Sequence, residues 1–143
     1  MKGNTSGVGI LPIINNKIGL IEIFRPAIQE ICWEIAHGFI EKNETNEEAA
    51  IRELKEETGI ESNKKDLISL GLVSPDSGVI GSKMNLFAVE IGKKNLFELD
   101  EFGIKDFKFF SFKDVERMIK NSKIHDSYTI ASVYKYKVLK KLS

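Results

Sequence analysis

Short apolar runs alternate with polar breaks along the first third of the chain. Residues 8–14 (VGILPII) and 18–24 (IGLIEIF) are rich in Val, Ile and Leu. Asn15, Asn16 and Lys17 between them supply a turn, so the two runs predict a β-hairpin with both strands buried. Arg25, Pro26 and Ala27 interrupt the pattern, and residues 32–36 resume it as a short strand leading into Gly38. Trp33 within that strand reads as a packing residue rather than a base-stacking platform. The period then changes. Thr45 followed three residues later by Glu48 is a capping-box signal, and Gly59 stands where a left-handed cap is needed, which predicts a helix over 46–58. On that helix Ala50, Ile51, Leu54 and Thr58 share one arc, and Ala49, Glu53, Glu56 and Glu57 a neighbouring one.

Residues 67–74, 84–91 and 107–112 predict three further strands, with the loop SPDSGVIGSK between the first two. Two helices close the chain. Ser111 caps the first, with Phe112, Val115, Met118 and Ile119 as its apolar stripe; Asp126 or Ser127 caps the second, with Ile130, Val133, Tyr134 and Val138. Strands, a helix, more strands and then helices predict an α/β fold with a mixed sheet layered between helices. No repeat or linker divides residues 1–143, so a single domain is expected.

Composition narrows the partners. With 21 basic and 21 acidic side chains the formal net charge is zero, which argues against nucleic acid or an anionic membrane as a partner. Charge is segregated nonetheless: residues 41–61 carry eight acidic and three basic side chains, and 113–143 carry eight basic and three acidic. The basic stretch reads as a solvated helix face. Cys32 is the single cysteine, so an intramolecular disulfide is excluded and a reducing, cytoplasmic setting is expected. Residues 1–7 lack a following signal-peptide core, and VGILPII is too short to span a bilayer.

The acidic helix carries the chemistry. Glu53 and Glu57 stand four apart with Glu56 beside them, and like charges at that spacing cost a helix roughly 0.2–0.5 kcal/mol per pair. Arg52 can pair with Glu56 but cannot neutralise all three. Oxygen donors gathered on one face, with Glu44 in the preceding loop, suit a hard divalent ion whose shell is completed by phosphate and water. The residues by themselves also admit a plain solvated acidic face.

Spacing decides between these. Gly38, Glu44, Arg52, Glu53, Leu54, Glu56, Glu57, Gly59 and Ile60 fill every specified place of G-x5-E-x7-R-E-U-x-E-E-x-G-U, with U a bulky aliphatic residue. This segment resembles the Nudix box, the signature of the Nudix hydrolases. The resemblance implies an α/β/α sandwich around a mixed sheet and hydrolysis of a nucleoside diphosphate linked to another group. It also implies a divalent metal, Mg²⁺ with Mn²⁺ as a substitute, bound by Glu53, Glu56, Glu57 and the Gly38 carbonyl, with Arg52 orienting the cluster.

Outside the box the chain is most similar to the ADP-ribose pyrophosphatase branch. Arg25 within FRPA, Glu34 ahead of the box and Pro75, 16 residues past Gly59, match features of that branch. They imply that Arg25 and Glu34 bind the nucleotide or ribose phosphate, although Arg25 also reads as a surface ion-pair partner. Two features depart from the pattern. His37 and Ala36 replace the usual residues before Gly38, and His37 reads either as a loop residue or as a phosphate contact. Ile80 falls where such hydrolases often carry a catalytic Glu, which leaves the general base to Glu56, Glu57 or the loop acid Asp76. A nucleotide-sensing domain with weak turnover and an RNA 5′-end hydrolase are the competing readings; Tyr134, Tyr136 and the C-terminal lysines are the only hints of the second. The expected partner is a nucleotide-type small molecule, and the oligomeric state, a homodimer included, stays open.

Overall fold

The computed structural model describes residues 6–78, 81–92 and 107–142. Ile80 lies outside them, as do residues 1–5, 93–106 and 143. Strands β1 (Gly7–Ile14) and β2 (Lys17–Arg25) form the expected hairpin. Asn15 and Asn16 both adopt left-handed φ, 49° and 62°, which a tight two-residue turn requires and asparagine tolerates.

The hairpin holds together only near its turn, where Ile13 faces Ile18 and Ile14 faces Lys17. Beyond it the two strands diverge, and the next segment fills the fork. Strand β3 (Glu30–Glu34) pairs with the far end of β2, while β4 (Ala36–Phe39) pairs with the start of β1. The single strand expected over 32–36 is therefore two strands, broken at Ile35 because its ends serve different partners. Strands β5 (Leu67–Val73), β6 (Met84–Glu90) and β7 (Phe107–Ser111) complete a seven-stranded sheet in the order β3-β2-β1-β6-β5, with β4 on β1 and β7 on β2. β1 runs parallel to β6 and antiparallel to β2 and β4, so the sheet is mixed.

Helix α1 (Asn46–Thr58) covers one face, burying Ala49, Ala50 and Leu54 against Val8, Ile10, Ala36 and Phe87. Helices α2 (Phe112–Lys120) and α3 (Ser127–Lys140) cover the other, where Leu11, Ile13, Leu20 and Ile35 meet Val115, Met118 and Val133. All eight residues of β1 are buried because alternate side chains feed opposite cores. The α/β/α sandwich is as expected. Trp33 packs edge-on against Phe110 at 5.0 Å between ring centroids, in agreement with its packing role.

Two apolar arcs need correction. On α1 the buried residues are Ala49, Ala50, Leu54 and Thr58, and Ile51 is only half-buried. On α3 Tyr134 is 68% exposed and Val138 59%, while Thr129, Ser132, Val133 and Tyr136 are buried. That helix carries apolar residues on every side, so periodicity alone could not select its inner face. A polar bond selects it: Oγ1 of Thr129 accepts the backbone N–H of Ile35 at 3.0 Å, the residue at the strand break. Tyr136, a candidate stacking residue by sequence, is buried and donates its hydroxyl to Glu90 at 2.7 Å.

Candidate active site

Strand β4 separates two charged networks, and its alternation decides which residue faces which. Ala36 and Gly38 face α1, whereas the His37 ring turns to the opposite side and meets Tyr128 of α3 edge-on at 5.5 Å. α1 itself is fixed at both ends. Thr45 Oγ1 accepts from Glu48 N at 3.1 Å and Glu48 Oε1 accepts from Thr45 N at 2.9 Å, while Gly59 closes the helix with φ of 80°. Leu54, fully buried, contributes roughly 1.5–3 kcal/mol to holding it on the sheet.

On the α1 side, Gly38 is required by close approach. A Cβ there would overlap the Glu53 carboxylate, so glycine lets that side-chain end rest against the strand backbone, and a larger residue would push it aside. Arg52 then spreads over the acidic groups. Its Nε and one terminal nitrogen donate to the two oxygens of Glu44 at 2.7 and 2.9 Å. The other terminal nitrogen donates to Glu53 at 2.8 Å and Glu56 at 3.0 Å, and Phe39 O accepts a further bond at 3.0 Å. Glu44, an oxygen donor available from the preceding loop by sequence, here bonds Arg52; that guanidinium, with the Glu41 N–H, holds its carboxyl at about 2. Bonding to Glu44 in turn pushes Arg52 up.

Glu57 stands apart from this fan. Its Oε1 accepts the backbone N–H of His37 at 3.0 Å, and burial pushes its carboxyl up despite that bond. Glu56 is exposed. Among the described residues, two triplets of ligand-type side chains bring their donor atoms within 4.8 Å of one another, and neither contains Glu53, Glu56 or Glu57. Glu53 and Glu56 instead bond Arg52, and Glu57 bonds the His37 N–H.

On the α3 side, Arg25 grips Glu34 with two bonds, Nε to Oε2 at 3.1 Å and a terminal nitrogen to Oε1 at 2.6 Å. His37 Nε2 lies 3.2 Å from both the Glu34 carboxylate and the Arg25 guanidinium. Glu34 and His37 would face opposite ways on an unbroken strand, since they are three residues apart. The break at Ile35 puts them together. Glu34 is 4% exposed; burial favours its neutral form, but the bonds from His37 and Arg25 prevail and hold it at about 2. For His37 burial opposes the charge, and Glu34, Asp126 and Glu57 together overcome it and raise the ring. Asp126, which sequence offered only as a cap, does cap α3 through Thr129 N at 3.0 Å and also joins Glu34 and His37 in one of the two triplets.

Asp76 shares no described hydrogen bond or ion pair with either network. It is exposed, and its described hydrogen bond is local, from Gly78 N at 3.3 Å. A cavity of about 600 Å³ lined by Ile51, Lys55, Asp66 and Glu90 sits on a different side of α1 from Glu53 and Glu57.

A glycine-led loop and helix presenting Arg-Glu-x-x-Glu-Glu beside a mixed sheet defines a Nudix hydrolase. The model of the NUDIX domain matches residues 3–132, and the chain belongs to that family, as a Nudix pyrophosphohydrolase by class. It is 31% identical to the methanol dehydrogenase activator of Bacillus methanolicus over 88% of this chain and 69% of that protein. It is 36% identical to the ADP-ribose pyrophosphatase of Saccharomyces cerevisiae, over 62% of this chain but only 40% of that one. Among solved structures, an ADP compounds hydrolase superposes with a TM-score of 0.78 over 97% of this chain and 74% of its own, at 21% identity, and so shares the fold.

Proposed function

We propose that this protein hydrolyses the pyrophosphate bond of a nucleoside diphosphate linked to a second group, ADP-ribose or a nucleotide sugar. The observation that carries the reading is the charge balance on α1. One guanidinium, Arg52, serves Glu44, Glu53 and Glu56, while among the described residues Glu57 accepts its hydrogen bond from the His37 backbone N–H. That surplus of oxygen donors beside a strand backbone with no Cβ fits a hard divalent cation, with Glu53, Glu56, Glu57 and the Gly38 carbonyl as its protein ligands. A bound Mg²⁺, or Mn²⁺ in its place, would neutralise pyrophosphate charge and acidify a water.

The protein's own groups then divide the work. Arg52 keeps Glu53 and Glu56 ordered before the substrate arrives. Glu57, half-buried and bonded to the His37 N–H, is the group we assign to accept the proton of the attacking water, in preference to the exposed Asp76. Water adds to one phosphorus as the bridging oxygen leaves with the other, giving a nucleoside monophosphate and a phosphorylated second product. Arg25, anchored by Glu34, supplies positive charge for the nucleotide or ribose phosphate, and His37 beside it offers a further contact. Among the described residues no helix is long and apolar enough to cross a membrane, and the lone thiol favours a cytoplasmic setting.

The test is a substrate panel of ADP-ribose, NADH, diadenosine polyphosphates, nucleotide sugars, nucleoside triphosphates and capped RNA, each with Mg²⁺ or Mn²⁺. The expected result is preferred release of nucleoside monophosphate from ADP-ribose or a nucleotide sugar. Preference for triphosphates or capped RNA would overturn it.

A further inference from the structure

Glu30, Cys32 and His125 make a second cluster that the hydrolytic site does not use. Glu30 and Cys32 are two apart on β3 and share one face of the strand; His125 immediately precedes the cap of α3. The fold brings these together across more than ninety residues of chain. His125 Nε2 lies 3.6 Å from Cys32 Sγ and 3.1 Å from Glu30 Oε1, and the three donor atoms all fall within 4.8 Å of one another.

We propose that this cluster is a binding site for a soft divalent cation, Zn²⁺ in the first instance, separate from the hard-ion site on α1. Ligand chemistry separates the two. Thiolate and imidazole select zinc-like ions, whereas Mg²⁺ takes oxygen alone. Geometry agrees as well. Zinc–sulfur and zinc–nitrogen bonds of about 2.3 and 2.05 Å at a tetrahedral angle put S and N about 3.6 Å apart, and a carboxylate oxygen about 3.4 Å from the nitrogen. The sulfur–nitrogen separation already has that value, and the oxygen–nitrogen one needs to widen by a few tenths of an ångström.

Exposure supplies the entry route. Cys32 is buried at the base of the cluster, while the Glu30 side chain is 60% exposed and that of His125 38%. Three protein ligands leave the fourth position to water on the solvent side. Binding releases the thiol proton of Cys32, so sulfur enters as thiolate and no redox change occurs. The ion would tie β3 to the start of α3. Glu34 follows Cys32 by two residues and Asp126 follows His125 by one, so occupancy would stiffen the support of the Arg25–Glu34–His37 network.

Cobalt titration of the whole chain in saturating Mg²⁺ tests this. One equivalent of Co²⁺ should give a thiolate-to-cobalt charge-transfer band in the near ultraviolet, and Zn²⁺ should displace it. Glu53→Gln should leave the band intact. His125→Ala, at a partly exposed position where folding is not at stake, should weaken Co²⁺ binding by at least about 100-fold, the upper end of the cost of losing a mere outer-shell partner. Cys32→Ser should abolish the band. Absence of the band at one equivalent, or its survival at full strength in both His125→Ala and Glu30→Gln, would overturn the proposal. Neither outcome depends on which nucleotide is hydrolysed.

Discussion

Arg52 and Arg25 stand on opposite sides of strand β4, and they treat carboxylates differently. Arg52 divides its donors among Glu44, Glu53, Glu56 and a backbone carbonyl, whereas Arg25 commits two bonds to the buried Glu34 and lies beside His37. On the α1 side acids outnumber the cation. On the α3 side Arg25 is committed to Glu34, with His37, whose ring Glu34, Asp126 and Glu57 raise against the effect of burial, beside it. A surplus of carboxylates is an invitation to a metal ion; a balanced cluster holds its shape without one and leaves its cation oriented for an anion. Strand β4 thus separates two networks of different charge balance, because successive side chains point to opposite faces.

The largest expected effect breaks the surplus side. Glu53→Gln and Glu57→Gln each remove a charge while keeping volume, and the amide oxygen introduced by Glu57→Gln can still accept from His37 N. Each should lower kcat by more than about 100-fold, beyond what outer-shell changes cost, with an unchanged circular dichroism spectrum. Near-normal turnover at saturating Mg²⁺ would remove these residues from the metal site. On the balanced side, Arg25→Ala strips a buried acceptor of its main partner and should cost about 1–3 kcal/mol of stability in urea titrations. Arg52→Ala, measured without metal, leaves the Glu44 and Glu53 side chains, each 13% exposed, without their cation and should also destabilise; no measurable loss would show that the α1 acids do not depend on Arg52.

Mg²⁺ should sharpen the comparison from the other direction. An ion bound only by the folded state adds about 2.7 kcal/mol at a hundred times its Kd, so Tm should rise by several degrees in the wild type and hardly at all in Glu53→Gln. Equal shifts in both proteins would place the ion elsewhere. Acid stability probes the α3 side. Glu34 titrates at about 2 in the folded chain and near 4.3 in an unfolded one. Its contribution is therefore complete above about 4.3 and lost as pH falls through about 2. Glu57, raised by burial, has the opposite sign: its contribution is present at low pH and lost as pH rises through its folded value. Stability measured from pH 5 to pH 2 should fall more steeply in wild type than in Glu34→Gln, and parallel slopes would contradict the assignment.

The smallest effect is expected for Asp76→Asn. Exposed and bonded to Gly78, it should change KM at most, leaving kcat within a few-fold. A fall of roughly 10² to 10⁴, the range of a positioned general base, would move the proton-accepting role from Glu57 to the loop.

Local chemistry by itself settled much of this protein. The capping box at Thr45 and Glu48, the left-handed Gly59 and the Asn15–Asn16 turn each satisfy backbone demands within a few residues, so the bounds of α1 and the hairpin were legible. The spacing of Gly38, Arg52, Glu53, Glu56 and Glu57 was legible for the same reason: one loop and one helix carry all of them. Tertiary structure decided what depended on distant partners. The fork between β1 and β2 broke the next strand at Ile35, and that break put Glu34 beside His37 and gave Thr129 a buried N–H to accept. It also chose the inner face of an all-round apolar α3, joined Glu44 to Arg52, and assembled Glu30, Cys32 and His125. Periodicity within a segment reports which residues share a face, but the partner that covers a face is fixed only when separate segments compete to bury the same surface.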